Sequence, residues 1–236
     1  MRRATGEAMA EKAPPAVNEV LRRLREMYGE LVWRPHHDPT SELILTILSQ
    51  HTNDRLSGRA FGELLARFSD WDAIRRAPLA EIRDAIRFAG LAEVKAPRIH
   101  QALERIHAER GDYDLTFLAD LPLDEARAWL LRLPGVGPKT AACVLMFALG
   151  WPALPVDTHV YRVSKRLGLI PPRMSADDAH AYLEARVPPE AIYAFHVGLI
   201  RLGRYICLAR NPRCVACVLN DICPSAFVAG PRPPTA

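Results

Sequence analysis

The sequence predicts an all-α protein, and three observations carry that prediction. Apolar residues recur at helical spacing along nearly the whole chain of 236 residues. No two alternating apolar–polar runs stand close enough to read as a strand pair. Short stretches containing Gly, Pro or Asp separate the periodic segments, as helix stops and starts should.

In chain order, Val17, Val20, Leu21, Leu24 and Leu31 mark one face of a first helix. Further helices are predicted at about 41–50, 54–67, 79–88, 94–108, 122–132, 138–149, 158–168, 176–186 and 190–205. Joining the helices at 122–132 and 138–149 is "LPGVGPKTA", residues 133–141. Pro134-Gly135-Val136-Gly137 makes a tight turn, and Pro138 suits the first position of the next helix. The two glycines allow positive φ and close approach to something external. Amides of the turn and of the new helix's first residues would point outward, a ready anion site. The pattern is that of a helix–hairpin–helix gripping DNA phosphates; a plain αα-hairpin sharpened by glycine is the other reading of it.

The bulk properties are those of a globular protein, with 49% hydrophobic and 25% charged residues. No run approaches the ~20 apolar residues of a membrane span. The opening "MRRATGEAMAEKAPPAV" lacks the apolar middle of a signal peptide, and Glu7 and Glu11 argue against a transit peptide. The expected setting is cytoplasmic, nucleoid-associated if the source is bacterial. Net charge is a mild +4, but basic residues cluster. Arg162, Lys165, Arg166 and Arg173 fall in one acid-free stretch, and Arg201, Arg204, Arg210 and Arg213 in another. Stripes of this kind suit a phosphate backbone.

Of the 31 basic residues only Lys12, Lys95, Lys139 and Lys165 are lysine. Arginine stays protonated, whereas lysine can lose its proton and become a nucleophile. Lys139 falls in the first turn of the helix after the hairpin, where the positive end of the dipole favours the neutral amine. A neutral amine can attack a carbonyl-like carbon and form a Schiff base; a phosphate contact is the equal alternative on this turn alone. Eighteen residues on, Asp157 in "VDTHVYRV" reads as the N-cap of a helix. A helix over 138–149 is ~18 Å long, and the seven-residue connector "GWPALPV" reaches ~23 Å when extended. That length can return Asp157 to the level of Lys139.

Five cysteines occur, and Cys207, Cys214, Cys217 and Cys223 spell C-x6-C-x2-C-x5-C. Such spacing implies a shared metal centre, either structural zinc or a 4Fe–4S cluster. Cys143, among Ala142, Val144 and Leu145, reads as core packing.

Together, "LPGVGPKTA", "VDTHVYRV" and the cysteine spacing resemble the endonuclease III family of helix–hairpin–helix DNA glycosylases, from about residue 17 to residue 224. The resemblance implies a 4Fe–4S cluster on the four cysteines, with Lys139 as nucleophile and Asp157 as catalytic aspartate. It implies a two-domain fold: a six-helix domain over 32–150, with its helix–hairpin–helix at about 122–149, and a cluster domain from 15–31 plus 151–225, with a DNA groove between them. Residues 1–14 and 226–236 are expected to be tails. "ILSQHTND" is similar to the loop that fills the gap left by an extruded base, putting Gln50 at the inserting position, and "GLAEVKA" to a second wedge with Leu91 at its tip. The hairpin residues Gly135, Val136 and Gly137, and Arg210 and Arg213 of "CLARNPRC", would meet phosphates. Three departures from the family pattern stand out: Asn211 where a basic residue is common, Leu202 before Gly203 where histidine is frequent, and a longer stretch from Asp112 to Leu130.

The implied function is a bifunctional glycosylase and abasic-site lyase acting on oxidised pyrimidines in damaged double-stranded DNA, as a monomer with no membrane partner. Two alternatives stay open at this point. One is a mismatch-type glycosylase of the same superfamily, against which Lys139 argues. The other is a non-catalytic DNA-binding iron–sulfur protein.

Overall fold

The structure, a computed structural model, describes residues 14–228. The expected tail over 1–14 lies outside the described residues except for Pro14, as do residues 229–236 of the other tail. Every regular element among the described residues is helical. No helix among them is long and apolar enough to cross a membrane. The chain divides into two compact units, one running to Leu31 and resuming at Val156, the other Val32–Pro155.

In the second unit, α2 (Pro39–Ser49), α3 (Asp54–Arg67), α4 (Trp71–Arg76), α5 (Leu79–Ala85), α6 (Ala92–Arg110), α7 (Leu123–Leu131) and α8 (Pro138–Cys143) share one core. Helix α1 (Val17–Tyr28) belongs to the other unit. Helix α2 shows why this core forms. Asp38 caps it, its carboxylate accepting from the amides of Thr40 and Ser41, and Pro39 presets its first turn. Leu43, Ile44, Ile47 and Leu48 are wholly buried, so the helix is apolar on nearly every side and becomes the unit's central rod. Helix α8 continues as a π-helical turn, Val144–Ala148, so the segment expected as one regular helix over 138–149 widens midway.

Three features depart from the sequence expectations. Helix α4, capped by Asp70, was not expected; it spans six residues and buries only Ile74, too little to write a helical period. With it the unit holds seven α-helices among the described residues, not six. Helix α1 stops at Tyr28 because Gly29 takes φ 74, leaving Leu31 outside. Trp151–Pro155 pack with the helical unit: the Trp151 amide donates to the Leu145 carbonyl, and Ala153 joins the core. The longer stretch from Asp112 is ordered. Tyr113 donates to Asp72 at 2.7 Å and accepts from Arg75 at 2.8 Å, and Phe117 meets Trp129 edge-on at 5.2 Å.

The other unit is built on α1, α9 (Thr158–Arg166), α10 (Ala176–Glu184) and α11 (Ile192–Tyr205). Val20 and Leu24 of α1, Val160 and Val163 of α9, and Phe195, Leu199 and Leu202 of α11 are buried. Helices α9 and α11 approach so closely at Gly203 that a Cβ there would lie 2.8 Å from the His159 Cβ. Glycine at 203 is therefore a packing requirement.

Candidate functional site

The hairpin follows from local chemistry. Leu133 and Val136 are buried and the Val136 amide donates to the Leu133 carbonyl, which closes the turn on the core. Val136 is thus an anchor of the turn, not the surface contact expected for it, because its side chain and amide are both committed inward. Gly135 sits at φ 79, and a Cβ there would lie 2.6 Å from the Arg98 Cδ, so both backbone and space demand glycine. At Gly137 a Cβ would meet nothing within 4 Å. The hairpin is open on that side.

The amides of Gly135, Gly137, Lys139 and Thr140 have no hydrogen-bond partner among the described residues. Pro134 and Pro138 contribute no amide of their own. Lys139 is half-buried in the first turn of α8, and its amine has no hydrogen-bond partner among the described residues. Nearby is a group the sequence reading missed. Glu42, in the first turn of α2, is only 6% exposed, and burial pushes its carboxyl up to about 7 against the opposing pull of the Lys139 charge. Its one signal in the sequence is a carboxylate amid "SELILTIL", where the pattern calls for an apolar residue.

Asp157, in the other unit, caps α9 as expected. Its Oδ1 accepts from the amides of His159 at 2.9 Å and Val160 at 2.7 Å. Oδ2 keeps its lone pairs for other work, with no partner among the described residues.

Gln50 and Leu91 lie in loops of the same unit as Lys139. Gln50 ends α2 half-buried; its Nε2 donates to the Gly135 carbonyl at 3.1 Å, and its Oε1 accepts from Arg98 at 2.8 Å. In this conformation its side chain braces the hairpin, and insertion elsewhere would break those bonds. Leu91 is 54% exposed at φ 51, a left-handed conformation that costs a non-glycine residue ~1–2 kcal/mol. An exposed, strained leucine has no packing role, which favours the wedge reading over a core one.

Cys207, Cys214, Cys217 and Cys223 line one cavity, partly open to solvent, together with Arg166, Pro212 and Asn220. None forms a disulfide. The donor set fits an iron–sulfur cluster. Four thiols around one shared space are what a four-iron cluster requires, one for each iron. Burial first, and then the other three thiols, push Cys217 up to about 11, so thiolates here become favourable only beside the positive charge of a metal centre.

Two arginines expected to meet phosphate are used to build this loop. Arg166 donates to the Cys207 Sγ at 3.2 Å and to the carbonyls of Leu208 and Ala209 at 2.6 and 2.9 Å. Arg162 donates to the carbonyls of Cys207 at 3.1 Å and Gly203 at 2.8 Å. Arg210 and Arg213 are exposed, and neither side chain has a partner among the described residues. Asn211, between them, adopts φ 50. Asparagine tolerates that conformation, which gives the departure at 211 a backbone reason. Replacing any of the four cysteines by serine is expected to abolish the visible absorbance of the cluster and most of the soluble yield, because three thiolates leave one iron unligated. Absorbance near 400 nm with an iron assay checks this; full iron content in such a variant would exclude that cysteine from the ligand set.

Residues 44–189 match the model of the HhH-GPD superfamily base excision DNA repair proteins, and residues 207–223 that of the iron–sulfur binding domain of endonuclease III. Endonuclease III of Bacillus subtilis is 36% identical over 188 residues, spanning 80% of this chain and 82% of that protein. An Arabidopsis thaliana relative is 37% identical over 189 residues, and the chain spans 62% of its length. Among solved structures, a trapped endonuclease III–DNA covalent intermediate superposes with a TM-score of 0.76 at 32% identity, covering 88% of this chain and 93% of that one. With its hairpin, its capped aspartate and its four thiols around one cavity, the chain belongs to the endonuclease III family of base-excision DNA repair proteins, and its match over residues 207–223 marks it as a 4Fe–4S cluster protein.

Proposed function

We propose that the protein is a bifunctional DNA glycosylase and abasic-site lyase that removes oxidised pyrimidines from damaged duplex DNA, working as a cytoplasmic monomer. The observation that carries this reading is Lys139: a half-buried amine with no hydrogen-bond partner among the described residues, two residues beyond a hairpin whose outward amides are unspent. A structural relative of this chain exists as a trapped covalent intermediate with DNA, which is the chemistry an amine nucleophile supports.

The hairpin amides hold a phosphate of the damaged strand, fixing the register without reading sequence. Arg210 and Arg213 add contacts of the same kind. Gln50 and Leu91 occupy the space vacated when the target nucleotide leaves the stack. The Nζ of Lys139, once deprotonated, attacks C1′ of the deoxyribose; the glycosidic C–N bond breaks and the base departs with its electron pair, taking up a proton from solvent. The Asp157 carboxylate stabilises the positive charge that develops on the sugar and receives the proton lost from Nζ. The Asp157 carboxyl returns that proton to O4′ as the ring opens to a Schiff base, and loss of a C2′ proton then expels the 3′ phosphate, cleaving the strand. When bound, the cluster supplies four iron–thiolate bonds that close the 207–223 loop, so that Arg210 and Arg213 are presented from a fixed frame.

The test is an activity panel over duplexes that each carry one defined lesion, with borohydride present. Oxidised pyrimidines and abasic sites should yield base release, strand cleavage and a covalent adduct, while an adenine or thymine mismatch should yield none. Base release from mismatches without any adduct would transfer the chain to the mismatch branch.

A further inference from the structure

Lys95 is 1% exposed, and burial pushes its amine down to about 8. A lone buried ammonium is costly, so its partners explain why it is there. Its Nζ donates to the Leu48 carbonyl at 2.6 Å, the Ala89 carbonyl at 2.9 Å and the Thr52 Oγ1 at 3.0 Å. Thr52 in turn donates to the Ala89 carbonyl. Leu48 lies in the last turn of α2, and Ala89 ends the short 3₁₀ helix Arg87–Ala89, so both carbonyls are helix-end acceptors at the negative end of a dipole.

All three acceptors lie beside the two loops that carry Gln50 and Leu91. The first loop runs from Gln50 to Asn53, which caps α3, and the second is Gly90–Leu91, which opens α6. Each contains a non-glycine residue at positive φ, His51 at 54 and Leu91 at 51. Such strained positions persist only where the surroundings over-determine them. The apolar core alone cannot supply that determination, because His51 and Leu91 are both exposed. The Lys95 ammonium can, since it joins the base of one loop directly to the base of the other.

We infer that Lys95 is a positioning residue that locks the Gln50–Asn53 loop and the Gly90–Leu91 loop into a single rigid element for nucleotide extrusion. The inference rests on the reading of Gln50 and Leu91 as the side chains that take the place of the extruded nucleotide. Lys95 touches neither DNA nor Lys139; it acts through the two loops.

The experiment uses the full-length, cluster-loaded protein and a duplex carrying one oxidised pyrimidine opposite 2-aminopurine, whose fluorescence rises on unstacking. Lys95→Met keeps the buried stem and removes the donors. Thr52→Val removes one acceptor and the link to Ala89 without burying a charge, so it keeps the test open if Lys95→Met folds poorly. Both variants should slow the fluorescence rise and lower kcat by up to about 100-fold, the scale for misplacing a positioning element by an ångström. KM should hold, and the same lesion placed in an unpaired bulge should restore kcat, because extrusion is then already done. A merely structural defect would not be rescued by the bulge. Leu91→Ala separates the two readings. If it slows unstacking while Thr52→Val and a folded Lys95→Met do not, the role of Lys95 falls and the wedge stands. If Leu91→Ala leaves unstacking unchanged, the wedge falls and the role of Lys95 falls with it. Equal loss on bulged and paired substrates would also overturn the inference.

Discussion

Lys139→Gln should abolish borohydride trapping on abasic duplex altogether, with no slow residual phase. Glutamine keeps a polar side chain of similar reach in the first turn of α8 but has no nucleophilic nitrogen. The hairpin amides of Gly135, Gly137 and Thr140 remain, as do Arg210 and Arg213. Affinity for undamaged duplex should therefore stay within several-fold of the wild type, since one phosphate contact among several is a small part of the electrostatic total. The contrast between lost chemistry and kept binding is the diagnostic, read by denaturing gel for the adduct and by fluorescence anisotropy for affinity. Normal trapping by the variant would move the lyase assignment to another amine and leave Lys139 as a phosphate contact.

Asp157→Asn separates folding from chemistry at a residue that serves both. The cap uses only Oδ1, and asparagine retains that oxygen and caps nearly as well. The lost charge weakens the interaction with the N-terminus of α9 by less than about 1 kcal/mol, so the melting temperature should hardly move. Oδ2 becomes an amide nitrogen, which can neither receive a proton nor offset a positive sugar. Base release in single turnover should fall by about 100-fold or more, the scale of a placed acid–base group. A large drop in melting temperature with an unchanged rate would show that Asp157 is a cap and nothing else.

The parts of the site legible in the sequence are those whose chemistry is local. The Asp157 cap, the Gly135 turn and the run of four cysteines each complete their pattern within a few residues, so spacing alone exposes them. What stayed hidden depends on partners far along the chain. Lys95 in "GLAEVKA" looks like an ordinary solvent-facing lysine, and two of the three acceptors that make its burial tolerable, the Leu48 carbonyl and the Thr52 hydroxyl, lie 47 and 43 residues earlier. Arg162 and Arg166 look like a phosphate stripe because the carbonyls that claim them, at Gly203 and at Cys207 to Ala209, lie some 40 residues on. Val136 sits between two glycines, which advertise exposure, yet its side chain faces the core. Helix α4 failed for a different reason, since one buried residue in six cannot define a period.

The way Arg162 and Arg166 are held has an effect that outlasts their loss as direct contacts. Their partners are mostly neutral carbonyls, and neither forms an ion pair with an acid among the described residues. Each guanidinium is spent on this loop yet stays protonated, adding positive charge beneath Arg210 and Arg213. At ~0.1 M salt the potential of such charge reaches about 10 Å into solvent. That is far enough to bias the diffusive approach of a polyanion before any side chain touches it. The cluster loop is thus assembled by the same charges that set how quickly, and at what ionic strength, an encounter becomes a complex.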